Sequence, residues 1–391
     1  MSEGKVLIEN AKAFSEAVEG QALELLKELV LINSWTYNKK GVDAVVERIA
    51  DFFPDGPFRK RIVEQDELGN HLIVDTSGVG EENFILMVGH TDTVFPPDMG
   101  FNCFEDEGEI VRGPGVIDMK GGLVVGMYAL TFLHNLGLER DIPVRFIFNS
   151  DEEIGSPSSR KLLKDSADRA SCGLVFECGG LDNTVVTGRR GKIGVVVHIK
   201  GESGHAGMVK EGKKSAVLEL AHKIIAFERL NELGEDVNCN VGKVSGGVAP
   251  NVIPEYAEMH VDLRYLKVYN REKILRKIEE IVETSFVNGV NSSFEVVSER
   301  PAMERNERNL KLFEHARKVA EILGVVIKEE VRYGVSDANI ISQSGIPVLD
   351  GLGPIGDNDH SEKEYMIKRS LKERIALAAL LLLDLGGRLD F

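Results

Sequence analysis

Residues 84–94 read FILMVGHTDTV: an unbroken apolar run from Phe84 to Val88, a glycine, then the polar string His90, Thr91, Asp92 and Thr93. Such a run, without alternation, reads as a strand buried on both faces, as in the middle of a parallel sheet. Residues just beyond its carboxyl end face the crevice in which open α/β sheets bind ligands. The pattern recurs at Val144–Phe148, which leads into NSDEEIGS (149–156), and at Leu174–Phe176, which leads into Glu177. Helical patterns lie between them: Met119–Leu136, closed by Gly137, and Ser159–Ala167. This alternation predicts an α/β fold, a mixed, largely parallel sheet flanked by helices.

From about residue 190 the order changes to strand (Ile193–Ile199), helix (Ser215–Leu230), strand (Val237–Val244), strand (Glu255–Leu266), helix (Arg271–Phe286) and strand (Ser293–Ser298). That β-α-β-β-α-β order is the ferredoxin-like unit. After Pro301 the first style returns, with an amphipathic helix (Leu310–Leu323), another strand and the apolar helix Ile375–Leu385. The expected organisation is therefore a catalytic domain in two parts, 1–187 and 304–391, with a ferredoxin-like α+β domain inserted at 188–303. A length of 391 residues also exceeds what one core usually serves.

With 47 basic against 63 acidic residues, the net charge of −16 repels phosphate backbones and anionic membranes, so neither nucleic acid nor membrane is an expected partner. The opening MSEGKVLIENAKAF lacks a signal pattern, and no stretch reaches the ~18 apolar residues of a membrane span, which points to the cytoplasm. The four cysteines show no CxxC spacing, so a thiolate metal cluster is not expected.

The polar strings at the strand ends carry the chemistry. His90 with Asp92 two residues on is a metal-site device in which the carboxylate holds the second ring nitrogen, although a lone HxD is more often a histidine that caps or satisfies a loop. Asp118, in RGPGVIDMKGG (112–122), either caps the following helix or bridges two cations with its two oxygens. Asp151, Glu152 and Glu153 are three successive acids delivered by a very apolar strand, and like charges there require something positive nearby. Adjacent glutamates also permit one to ligate and one to shuttle a proton. With Glu177 and His360, the set is nitrogen and oxygen ligands without sulfur, which suits zinc, with cobalt or manganese possible. GLGPIG (351–356) mimics a phosphate loop but is interrupted by proline and followed by acids.

Together GHTDTV (89–94), GPGVIDMKGG (113–122), SDEEIGS (150–156), FECGG (176–180), SGHAG (203–207) and DHSEKEY (359–365) resemble, in order, a di-zinc metallopeptidase family. It contains aminoacylases, acetylornithine deacetylase, succinyl-diaminopimelate desuccinylase and the folate-cleaving glutamate carboxypeptidase. The last is the nearest branch, through VSGGVAPNVIP (244–254), VDLRY (261–265) and SERPAM (298–303). The resemblance implies a zinc-peptidase-like fold whose inserted domain serves as lid and dimerisation surface of a homodimer. It implies one metal on His90, Asp118 and Glu177, a second on Asp118, Glu153 and His360, Asp92 orienting His90, and Glu152 as general base. His205 would stabilise the oxyanion, in some relatives across the dimer, while Asn251, Arg264 and Arg300 would bind the substrate carboxylate. YGVSDAN (333–339) departs from the family's usual diglycine, which bears on the shape of the substrate pocket.

The expected activity is two-metal hydrolysis of an amide or peptide bond next to a free carboxylate in a small peptide or N-acyl amino acid. A deacylase of aminoacylase or acetylornithine deacetylase type is the alternative. A non-catalytic protein on the same fold would not need the proton shuttle that Glu152 beside Glu153 preserves.

Overall fold

The computed structural model describes residues 3–208, 212–234 and 236–389. The chain divides into two compact units. One comprises Met1–Gly188, Arg305–Val331 and Ser336–Phe391; the other comprises Arg189–Glu304 and Arg332–Val335.

The first unit is built on a six-stranded sheet in the order 58–63, 71–76, 144–149, 84–90, 170–175, 348–349. Strands 144–149, 84–90, 170–175 and 348–349 run parallel, and the other two add an antiparallel edge. The parallel strands are apolar on both faces because both are covered. Gly126 of the helix Lys120–Asn135 lies against Met87, whereas Gly173, opposite Leu86 in the register, meets Ile341 of the short helix Asp337–Ile341. The helix Lys368–Leu385 packs against Lys120–Asn135, Glu3–Leu31 and Glu307–Leu323, which is why it is buried all round from Arg374 to Leu383. The antiparallel edge carries FRKRIV at 58–63, whose charged residues gave no strand signal of the apolar kind.

The second unit has a four-stranded antiparallel sheet in the order 237–246, 256–265, 191–200, 291–300. The helices Ala216–Glu228 and Val268–Glu283 complete a ferredoxin-like connectivity. One sheet face buries Ile193, Val195, Val197 and Ile199 together with Ala257, Met259, Val261 and Leu263, and Leu220, Phe227, Ile274 and Ile278 belong to the same core. Residues 332–335 group with this unit: Arg190 N donates to Arg332 O at 3.0 Å, and the Arg190 guanidinium lies 4.4 Å from the Tyr333 ring centroid. Among the described residues, no helix is long and apolar enough to cross a membrane.

Candidate metal centre

The parallel sheet delivers its polar strings to one side. His90 stands opposite Asn149 in the parallel register, and Thr91 N donates to Asn149 O at 2.7 Å, so 90–93 and 149–153 leave the sheet side by side. Phe176 N donates to Val88 O at 3.2 Å, which brings Glu177 to the other flank of His90. Asp118 stands one residue ahead of Met119, the cap of the helix Lys120–Asn135, and this helix comes close because its Gly122 has no side chain: a Cβ there would lie 1.8 Å from the Phe176 carbonyl oxygen. His360 lies on the hairpin between strands Gly356–Asp357 and Tyr365–Ile367.

Five side chains thus converge in two sets that share Asp118: His90, Asp118, Glu177 and Asp118, Glu153, His360, each set offering ligand atoms within 4.8 Å of one another. His90 Nε2 is 3.0 Å from Asp118 Oδ1 and 3.7 Å from Glu177 Oε1. His360 Nε2 is 3.0 Å from Asp118 Oδ2 and 3.2 Å from Glu153 Oε2. Neighbouring donors around a tetrahedral zinc with bonds of ~2.0–2.1 Å are about 3.3 Å apart, so this donor set fits zinc at both positions. The two oxygens of Asp118 face different histidines, as a bridging carboxylate requires.

Asp92, fully buried, organises both flanks. Its Oδ1 lies 3.4 Å from His90 Nδ1 and accepts from Glu152 N at 3.2 Å, while its Oδ2 accepts from Thr36 Oγ1 at 2.8 Å and from Glu153 N at 3.3 Å. The peptide carbonyl of Asp92 is also 3.0 Å from His90 Nδ1. The charge of Glu152 adds to the forces that raise Glu177.

The electrostatics are those of a site that needs positive charge. Burial, then the charge of Asp118, pushes Glu153 up to about 8 and Glu177 well above its usual value. Burial opposes the charged ring of His90, yet hydrogen bonds to Asp118 and Asp92 carry it well above normal. Hydrogen bonds to Asp118 and Glu153 raise His360 to about 11. Asp118 is held below the usual carboxylate range: burial works against this, and the bonds from His360 and His90 prevail.

A consequence for stability follows without metal. A carboxyl raised to about 8, as for Glu153, contributes stability below its unfolded value that is lost as pH climbs through 8. A histidine raised to about 11, as for His360, contributes stability below its unfolded value that is lost as pH climbs toward 11. Both act in one direction between pH 6 and 9. The melting temperature of chelator-treated protein is expected to fall relative to zinc-loaded protein as pH rises across that window. Calorimetry of the two forms checks this; a gap that narrows with rising pH contradicts it.

The remaining candidate residues lie in the second unit. His205, exposed, is in the two-residue strand Gly204–His205, opposite Val252, and its Nδ1 accepts from Gly207 N at 3.1 Å. Ala206 N donates to Asn251 O at 3.0 Å, so SGHAG and APNVIP run side by side. Arg264 and Arg300 both stand opposite Lys192, one on each side, forming a basic row across the sheet. Arg264 pairs with Asp262, Nε to Oδ1 at 2.7 Å, and lines a hollow of about 660 Å³ with Arg190, Asn238, Asn240 and Tyr333. Arg300, by contrast, is only 3% exposed.

Two residues of the first unit carry work that their sequence context hid. Glu364, fully buried, accepts from Gly115 N at 3.0 Å, Ile117 N at 2.9 Å and Asp118 N at 3.2 Å, and so fixes the loop that presents Asp118. Asp151 is not among the converging side chains: its carboxylate accepts from Ser158 N at 2.6 Å, Ser158 Oγ at 2.7 Å, Ser159 N at 3.1 Å and Ser159 Oγ at 2.5 Å. The charge of this first acid of the run is thus met by hydrogen bonds.

Residues 86–384 match the model of peptidase family M20/M25/M40. The chain is 30% identical over 327 residues to carboxypeptidase G2 of Pseudomonas sp., covering 82% of this chain and 78% of that protein. It is 25% identical to a succinyl-diaminopimelate desuccinylase of Rickettsia bellii, over 87% of this chain and 90% of the relative. Among solved structures, a tripeptidase from Staphylococcus aureus superposes with a TM-score of 0.77 at 22% identity, covering 94% of this chain and 99% of that one. The relatives include carboxypeptidases and deacylases, in a family of metal-dependent hydrolases. The chain belongs to peptidase family M20/M25/M40 and is a hydrolytic enzyme.

Proposed function

We propose that the protein is a glutamate carboxypeptidase-like amidohydrolase that cleaves an amide bond next to a free carboxylate, with two zinc ions held by His90, Asp118, Glu153, Glu177 and His360. The observation that carries this reading is the pair of donor sets sharing Asp118, with Glu152 next to the ligand Glu153 in the chain. Bound there, a pair of divalent cations polarises the scissile carbonyl and acidifies the attacking water. Glu152 takes the proton from that water and returns it to the leaving amine. Asp92 keeps His90 in the tautomer whose Nε2 is free to ligate. His205 donates to the developing oxyanion, and Asn251, Arg264 and Arg300 hold the substrate carboxylate.

Residues 188–303 act in this account as an inserted lid and dimerisation domain between the catalytic segments 1–187 and 304–391. The enzyme works as a homodimer in the cytoplasm, and cobalt or manganese can replace zinc. The identity to carboxypeptidase G2 supports the carboxypeptidase reading. The second reading, an N-acyl amino acid deacylase, is supported by the desuccinylase relative and by an acetylornithine deacetylase of Pasteurella multocida that is 28% identical over 57% of this chain.

A panel of acetyl-, succinyl-, dipeptidyl- and folyl-linked substrates, assayed with added zinc or cobalt, separates the two. The carboxypeptidase reading expects the highest kcat/KM on a substrate with a carboxyl-terminal glutamate. Preference for acetyl or succinyl amides instead assigns the chain to the deacylases.

A further inference from the structure

Flanking the acidic turn lies a carboxylate that the proposed chemistry does not use. Asp337, at the start of the helix Asp337–Ile341, is 2% exposed, and its two oxygens reach both ends of the segment that carries Glu152 and Glu153. Oδ2 accepts from Asn149 Nδ2 at 2.7 Å, just before the turn. Oδ1 accepts from Ser156 Oγ at 2.5 Å, just after it. Asn149 and Ser156 are both fully buried. Ser156 adopts a left-handed backbone with φ of 56°, a conformation that non-glycine residues hold only when their surroundings enforce it. Within the turn, Ser156 N donates to Asp151 O and Gly155 N to Glu152 O, both at 2.8 Å, so the six residues close as one loop.

We propose that Asp337 is a positioning residue for the reaction, acting through Asn149 and Ser156 to set where the turn places the Glu152 and Glu153 carboxylates. The inference rests on the roles proposed above for those two glutamates. A carboxylate suits the task because both oxygens accept, so two donors approaching from opposite ends of the turn are satisfied together. An asparagine would present an amide NH₂ to one of them. Either Ser156 then reverses its hydroxyl to accept, or Asn149 flips its amide and gives up its Nδ2 bond to Ser159 Oγ, and the clamp loosens in both cases. Ligating carboxylates depend on such hydrogen-bonded support, and its loss costs about 10-fold to 100-fold in metal affinity or turnover.

Three variants test this: Asp337→Asn, Asp337→Glu and Ser156→Gly. The last keeps the left-handed backbone accessible while removing the side chain that donates to Asp337. Each is titrated with zinc by calorimetry, its cobalt form is recorded by visible absorption, and kcat and KM are measured on the best panel substrate. Asp337→Asn and Ser156→Gly are expected to weaken one of the two zinc-binding steps by about 10-fold or more, alter the cobalt spectrum and lower kcat with little change in KM. Asp337→Glu should fail to restore them, because the longer side chain cannot meet both donors at their present distances.

Folded variants with parental zinc affinities, cobalt spectrum and kcat overturn the inference and leave the proposed function standing. If Asp337→Asn does not fold, Ser156→Gly alone decides by the same criteria. If the parent hydrolyses none of the panel, the proposed function fails, while zinc titration and the cobalt spectrum still decide the positioning role.

Discussion

Replacing Glu152 by glutamine is expected to lower kcat by about 10³-fold while the protein retains two zinc ions per chain. The side chain lies outside both donor sets, so the substitution removes no ligand. The backbone of the turn is held independently of that side chain: Glu152 N donates to Asp92 Oδ1 at 3.2 Å, and Glu152 O accepts from Gly155 N at 2.8 Å. What the amide loses is the ability to take a proton from water and pass it on. KM should change little, since substrate anchoring is assigned elsewhere. Metal analysis beside steady-state kinetics checks both halves. A variant that keeps parental kcat removes Glu152 from the mechanism, and one that loses zinc makes it a ligand.

Asp118→Asn should have the larger effect on metal. Its two oxygens stand 3.0 Å from His90 Nε2 and 3.0 Å from His360 Nε2, so one side chain serves both positions. Asparagine keeps one oxygen and turns an NH₂ toward the other histidine, which leaves that position with only one carboxylate and one imidazole. Zinc content is expected to fall from two to at most one per chain, with the weaker step losing more than about 100-fold in affinity, beyond the cost of an outer-shell partner. Elemental analysis after dialysis measures it. Two tightly held zinc ions in the variant would show that Asp118 does not bridge.

The sheet and the polar strand ends were legible in the sequence for one reason: a strand buried on both faces must be apolar throughout, so the first polar residues after it mark where the crevice begins. His90, Asp118, Glu153, Glu177 and His360, which the structure brings together, were singled out that way and by the motifs that hold them. Much of their support was not legible. Glu362 and Glu364 look alike in DHSEKEY, yet Glu362 is exposed while Glu364 is buried against the backbone of the Asp118 loop. The three acids at 151–153 look alike too, and only the serines at 158 and 159 separate Asp151 from its neighbours. Residues 332–335 group with the second unit through a backbone bond and an Arg190–Tyr333 contact, neither of which alters the local composition. Long-range partners of this kind leave no local period to detect.

The claim on which the rest depends is that one aspartate and four flanking ligands bind a pair of cations. Diffraction from zinc-soaked crystals, recorded on both sides of the zinc absorption edge, tests it most directly. The account predicts two anomalous peaks about 3.5–4 Å apart, one among His90, Asp118 and Glu177 and the other among Asp118, Glu153 and His360. A single peak, or peaks remote from Asp118, would contradict it.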